Sequence, residues 1–164
     1  MKRDASYLIL IGFLFLLDQI TKMIVAHQII RSTTIPLIPG FFNLTHIQNK
    51  GAIFGIFSQS PSLWLRGLLT LASLGALILV VYYFIKVPPS LKFFKISLSL
   101  IMAGALGNFF DRVFRGYVID FLDFYVGRWH WPSFNVADSC VTVGAVLMVY
   151  LVFFRREEKC ILSS

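Results

Sequence analysis

Four apolar runs, at about residues 5–26, 63–85, 96–112 and 136–154, dominate this 164-residue sequence. Each is long enough to cross roughly 30 Å of hydrocarbon at about 1.5 Å per residue. Inside lipid every backbone N–H and C=O must be paired within the protein, so such runs fold as helices. The chain is 57% hydrophobic and only 14% charged, with a mean hydropathy of +0.77. A soluble domain this small has too little interior for that much apolar surface, whereas a membrane protein turns it toward lipid. The expected fold is an all-α membrane protein: one integral domain over 1–164, four transmembrane helices, and a small extended or β platform on the outer membrane face.

The first run has a rival reading as a cleaved signal peptide, since MKRD precedes a short apolar core. No small-residue cleavage site follows. Instead comes DQITK at Asp18–Lys22, then more apolar residues, so a retained span is expected. Asp18 and Lys22 stand four apart and share a helical face in the favourable order.

The segments 27–62 and 113–135 are less apolar and are assigned to the outer face. Pro36, Pro39 and Gly40 break helices there. Residues 41–47 (FFNLTHI) alternate and read as a short strand, and 49–55 (NKGAIFG) as a turn. Residues 113–133 read as an ordered loop, with Trp129 and Trp131 as interface anchors. Residues 86–95 (KVPPSLKFFK) read as a basic loop. Arg66 opens the second span and can snorkel to the interface. Ala103, Gly104 and Gly107 in the third span let a neighbouring helix come close.

The formal charge is +7. A basic face or a known motif would suggest nucleic acid; neither is present, and no nucleic-acid partner is expected. The basic residues of MKR, of 86–95 and of RREEK cluster beside span ends, which suits anionic lipid and places both termini in the cytoplasm by the positive-inside tendency. The carboxylates from Asp18 to Asp138 then lie toward the outer face. Cys140 and Cys160 fall at different depths, so no disulfide is expected, and the terminal CILSS has its cysteine one place too early for prenylation.

Half of the eight acidic residues lie in one stretch, 104–139: Asp111, Asp120, Asp123 and Asp138. Ionisable groups at the ends of membrane runs are functional candidates by default. Asn135 and Asp138 have the spacing of a capping box, and a helix N-terminus favours an ionised carboxylate. Asp120 and Asp123 stand three apart, and spacing alone leaves open which of them faces the last span. Two neighbouring carboxyl groups share a proton, so one activates water while the other protonates a leaving amine. His27, His46 and His130 lack metal-ligand spacing, no G-x-S-x-G stretch is present, and no metal or cofactor is expected.

At these residues the sequence resembles lipoprotein signal peptidase (signal peptidase II), an aspartyl endopeptidase family of bacterial cytoplasmic membranes. The likeness rests on DQITK, NKGAIFG, GNFFDR at 107–112, VIDF at 118–121 and FNVADS at 134–139, in that order. It implies that Asp120 and Asp138 are catalytic, which selects Asp120 over Asp123. It implies supporting roles for Asp18, Lys22, Asn49, Gly51, Asn108, Asp111, Arg112, Asn135 and Ala137. The implied substrate is a diacylglyceryl-modified prolipoprotein, cut just before its lipidated cysteine, by a monomeric enzyme among membrane lipids. Two other classes use the same acids: a small proton-coupled transporter, with the acids as a relay, and an assembly protein, with the acids merely paired to Lys22 and Arg112.

Overall fold

The structure is a computed structural model and describes residues 4–51 and 63–154. The part of the expected turn beyond Gly51, the termini MKR and RREEK, and Cys160 lie outside the described residues. The elements run α1 (Ala5–Gln28), β1 (Thr34–Ile38), β2 (Phe42–Asn49), α2 (Leu63–Lys86), α3 (Lys92–Phe114), β3 (Val118–Val126), β4 (Trp129–His130) and α4 (Val136–Phe154). All four helices are long and apolar enough to cross a membrane.

The helices bury little of their surface. In α2 only Phe84 is fully buried, and about half of the helix residues are exposed and left for lipid. Helix α3 is the exception, with ten buried residues, and it packs against α1, α2 and α4. Lipid tails give apolar helices no reason to associate, so close backbone approach has to supply the attraction. Small residues permit it. A Cβ on Gly104 would run into the Ala137 carbonyl of α4, and one on Gly107 would meet Asp18 Oδ2 of α1 at 2.6 Å. From the other side, a Cβ on Gly144 of α4 would meet the Ser97 carbonyl of α3 at 2.8 Å.

The platform is a four-stranded antiparallel sheet in the order β1-β2-β3-β4. It is larger than the single strand read at 41–47. Strand β1 was hidden by Pro36, which an edge strand tolerates because that position need not donate to the ladder. Strands β3 and β4 occupy the stretch expected as a loop. Strand β3 is central and buried along its first half, so its apolar residues run on without alternation. Trp129 and Trp131 stand exposed at the far end of the sheet.

The basic segment 86–95 is only partly a loop. Lys86 ends α2, α3 begins at Lys92, and Lys95 is buried within α3. Its ammonium donates to the Phe84 carbonyl at 2.6 Å, pairs with Asp4 at 3.2 Å and lies 4.0 Å from the Phe84 ring centre. One side chain thus fastens the start of α1 and the end of α2 to α3. An orphan helix-end carbonyl supplies the partner that a buried cation needs.

The α3–α4 contact sets a stability test. Gly104→Val should destabilise the protein by about 1–3 kcal/mol or more through overpacking. Thermal unfolding in detergent should show a lowered midpoint, with Gly12→Ala, where a Cβ meets nothing, close to wild type.

Candidate active site

The site is built where the sheet meets the ends of α1, α3 and α4. Strand β3 sets its first carboxylate. Side chains on a strand alternate between faces, so Asp120 and Asp123, three apart, point to opposite sides. Asn43 lies directly opposite Asp123 on β2 and donates to it at 2.8 Å, and His130 Nδ1 lies 2.9 Å from its other oxygen. Asp120 faces the other way, toward the start of α4.

Asp120 is only 3% exposed, and an asparagine donates to each of its carboxyl oxygens. Asn49, a diagonal neighbour on β2, donates to Oδ2 at 2.9 Å. The oxygen of that Asn49 amide accepts the Gly51 N–H at 2.9 Å, which fixes its Nδ2 toward Asp120. Gly51 has φ +107, a conformation that glycine adopts without strain. Asn135 donates to Oδ1 at 2.7 Å.

Asn135 reaches Asp120 because the chain before α4 is tied to β3. Phe134 exchanges backbone bonds with Leu122 at 2.8 and 3.0 Å. Asn135 then caps α4. Its Oδ1 accepts the Asp138 N–H at 2.9 Å, and Asp138 Oδ2 accepts the Asn135 N–H at 3.3 Å, completing the reciprocal capping box. Asp138 Oδ1 also accepts Asn108 Nδ2 at 2.7 Å. One fully buried asparagine therefore bonds to both carboxyl groups.

Burial pushes the Asp120 carboxyl up to about 7. The negative charge of Asp138 adds to the rise, and the bonds from Asn49 and Asn135, which favour the ionised form, oppose it. Asp138 is partly open to solvent at the N-terminus of α4, where the helix dipole favours an anion.

Behind these groups lies a buried ionic cluster. Lys22 is completely buried; its ammonium forms ion pairs with Asp18 Oδ2 at 2.8 Å and Asp111 Oδ2 at 2.7 Å and donates a hydrogen bond to Asn108 Oδ1 at 3.0 Å. By binding the oxygen of Asn108, Lys22 turns its Nδ2 toward Asp138. Asp18 Oδ1 accepts the Ala137 N–H at 2.8 Å, a second orphan donor of α4. The ion pair that the spacing of Asp18 and Lys22 predicts within α1 is present, and it supports the site by extending to α3 and α4.

The two arginines at the end of α3 take different partners. Asp111 is bound by Arg115, one turn further along α3. Arg112 instead donates to the Asn108 carbonyl at 3.2 Å, and its charge interacts with Asp138 and Asp120. The sequence reading missed Arg115, whose four-residue spacing from Asp111 was available as a signal. It also missed buried Gln19, which donates to Asp18 and Asp111 and accepts from Arg115 at 2.8 Å. No periodic signal marked Gln19.

The eleven side chains and backbone groups singled out in the sequence thus form one connected set. Comparison with known proteins defines the class first. Two solved structures, both titled bacterial membrane enzymes, superpose with TM-scores of 0.77 and 0.75. They share 35% and 36% identity, cover 92% and 90% of this chain, and are covered over 94% and 87% of their own. The fold is thus one shared with membrane enzymes. Residues 10–154 match the family described as Signal peptidase (SPase) II. A protein of Syntrophus aciditrophicus (strain SB) named Lipoprotein signal peptidase is 44% identical over 154 residues, spanning 93% of this chain and 95% of that one. One of the same name from Burkholderia mallei (strain SAVP1) is 49% identical over 135 residues, 82% and 80% of the two chains. The chain belongs to the signal peptidase II family and is a peptidase.

Removing Lys22 should leave two buried acids without their shared cation. Lys22→Met is expected to destabilise the protein by about 3–5 kcal/mol, the usual size for breaking a buried ion pair from one side. Chemical unfolding in detergent would measure it, and Lys22→Met/Asp111→Asn should recover part of the loss.

Proposed function

We propose that Asp120 and Asp138 are the catalytic pair with which this peptidase removes the signal peptide from prolipoproteins. The observation that carries the reading is Asn135, bonded to Asp120 through Nδ2 and to Asp138 through its capping box. That residue holds the two carboxyl groups beside one another, and there the charge of Asp138 opposes ionisation of Asp120.

Asp120 keeps the proton, since burial and the neighbouring charge oppose its ionisation. Asp138, ionised and nearer solvent, accepts a proton from water. The water oxygen bonds to the scissile carbonyl carbon as the proton of Asp120 moves to the carbonyl oxygen. The C–N bond then breaks as Asp138 passes its proton to the departing amine and one hydroxyl of the diol returns a proton to Asp120, and the products are an amine and a carboxylic acid that ionises in water. Asn49, Gly51 and Asn135 orient Asp120; Asn108, aligned by Lys22, orients Asp138; Asp18, Asp111 and Ala137 hold the helix ends in register. Arg112 faces the pair and positions the substrate.

The substrate is a prolipoprotein carrying a diacylglyceryl group, cut just before the modified cysteine. The lipid holds the scissile bond at the membrane surface, and the lipid-facing helices leave room for its chains. The active site faces outward from the cytoplasmic membrane, with both termini in the cytoplasm, and the enzyme acts as a monomer in lipid.

Asp120→Asn and Asp138→Asn should each lower kcat for a lipidated precursor by about 10²–10⁴-fold, the usual worth of a general acid or base. Normal cleavage by either purified variant would overturn the assignment. The protonated form of Asp120 is lost as pH rises through about 7, so activity should fall on that side. Asn49→Ala removes a bond that favours ionisation, so the alkaline limb should move to higher pH. A pH profile of kcat for the two proteins decides this.

A further inference from the structure

Hydrolysis beside Asp120 and Asp138 creates a third carboxylate, the new C-terminus of the signal peptide. Three acids together repel one another, and the free pair is restored only when the new anion moves off. The structure offers a place. A small pocket of about 10 Å³, which admits a carboxylate only as its long basic side chains swing apart, lies between the end of β2, the start of α2 and the end of α3 and is lined by Lys50, Arg66 and Arg112, with Asn49, Thr70 and Tyr117. Among the described residues no carboxylate lines it.

Two of its walls also belong to the carboxyl pair. Asn49 donates to Asp120, and the charge of Arg112 interacts with Asp138 and Asp120. The pocket therefore adjoins the atoms where the anion forms. Among the described residues none of the three cations has a carboxylate within ion-pair distance. Arg66 Nε is sealed from solvent and, among the described residues, has no hydrogen-bond partner. A buried guanidinium donor left unpaired is costly, and an incoming carboxylate satisfies it with a charge-assisted bond. The sequence reading gave Arg66 only a snorkelling role, which accounts for its charge but not for its buried donor.

We propose that Lys50, Arg66 and Arg112 form a subsite for the carboxylate of the released signal peptide, drawing it away from the carboxyl pair. The inference rests on the peptidase reading above. The subsite takes a peptide C-terminal carboxylate and does not bind its amide equally, because only the former carries the charge.

The test uses the full-length enzyme in detergent, a lipidated precursor as substrate, and one synthetic signal peptide made twice, as the free acid and as the C-terminal amide. The acid should inhibit wild type about tenfold more strongly than the amide, the size expected for a hydrogen-bonded charge contact. Arg66→Gln and Lys50→Gln should each reduce that ratio toward one while the inhibition constant of the amide stays unchanged. That constant also reports folding; should Arg66→Gln alter it, Lys50→Gln carries the test. Equal inhibition of wild type by acid and amide would overturn the subsite, as would a ratio that survives in both variants. Failure of wild type to cleave the lipidated precursor at all would count instead against the peptidase reading.

Discussion

The ammonium of Lys22 lies where water does not reach, and it holds oxygens from two helices. A buried cation is tolerated only when its hydrogen bonds are filled and its charge is balanced. Here Asp18 comes from the same helix as Lys22, while Asp111 and Asn108 come from α3. Asp111 is bound in turn by Arg115, so two acids meet two bases and the cluster carries no net charge. Because Asp18 also receives the Ala137 N–H, α4 is tied to the same point. Apolar helices in lipid slide and rotate at little cost. This cluster fixes their register, and the carboxyl groups at their ends inherit it.

The asparagines convert that rigidity into chemistry. An amide has one accepting and one donating end, and which end faces the acid decides whether the acid is held. Lys22 occupies the oxygen of Asn108, and Gly51 occupies the oxygen of Asn49. Each therefore offers its NH₂ to a carboxyl group. Asn135 offers its NH₂ to Asp120 and its oxygen to the backbone of Asp138. The same capping box that starts α4 also seats the second acid. Stability of the helix start and geometry of the site are one arrangement, so selection on either acts on both.

Much of this was legible in the chain. Four long apolar runs leave helices as the folded form, because unpaired backbone groups in lipid are too costly. The spacing of Asn135 and Asp138 announced the cap, and Gly104 and Gly107 announced a close helix contact. The sheet was legible only in part. Pro36 masked β1, since proline marks breaks far more often than edge strands, and β3 lacks alternation because it is buried on both faces. Lys95 reads as loop charge because its nearest partner is a carbonyl, which leaves no trace in sequence, and its carboxylate partner Asp4 lies far off in the chain.

Composition and spacing by themselves determined the membrane setting, the number of helices and the gathering of acids near their ends. All of these follow from short-range rules of hydropathy and periodicity. Only the tertiary structure decided that β3 is a strand, and hence that Asp120 and Asp123 face opposite ways. It alone matched Asp111 with Arg115 and left Arg112 directed at the carboxyl pair. Those choices depend on which groups meet across α1, the sheet, α3 and α4, and contacts between residues up to 119 positions apart are set by packing, not by neighbours in the chain.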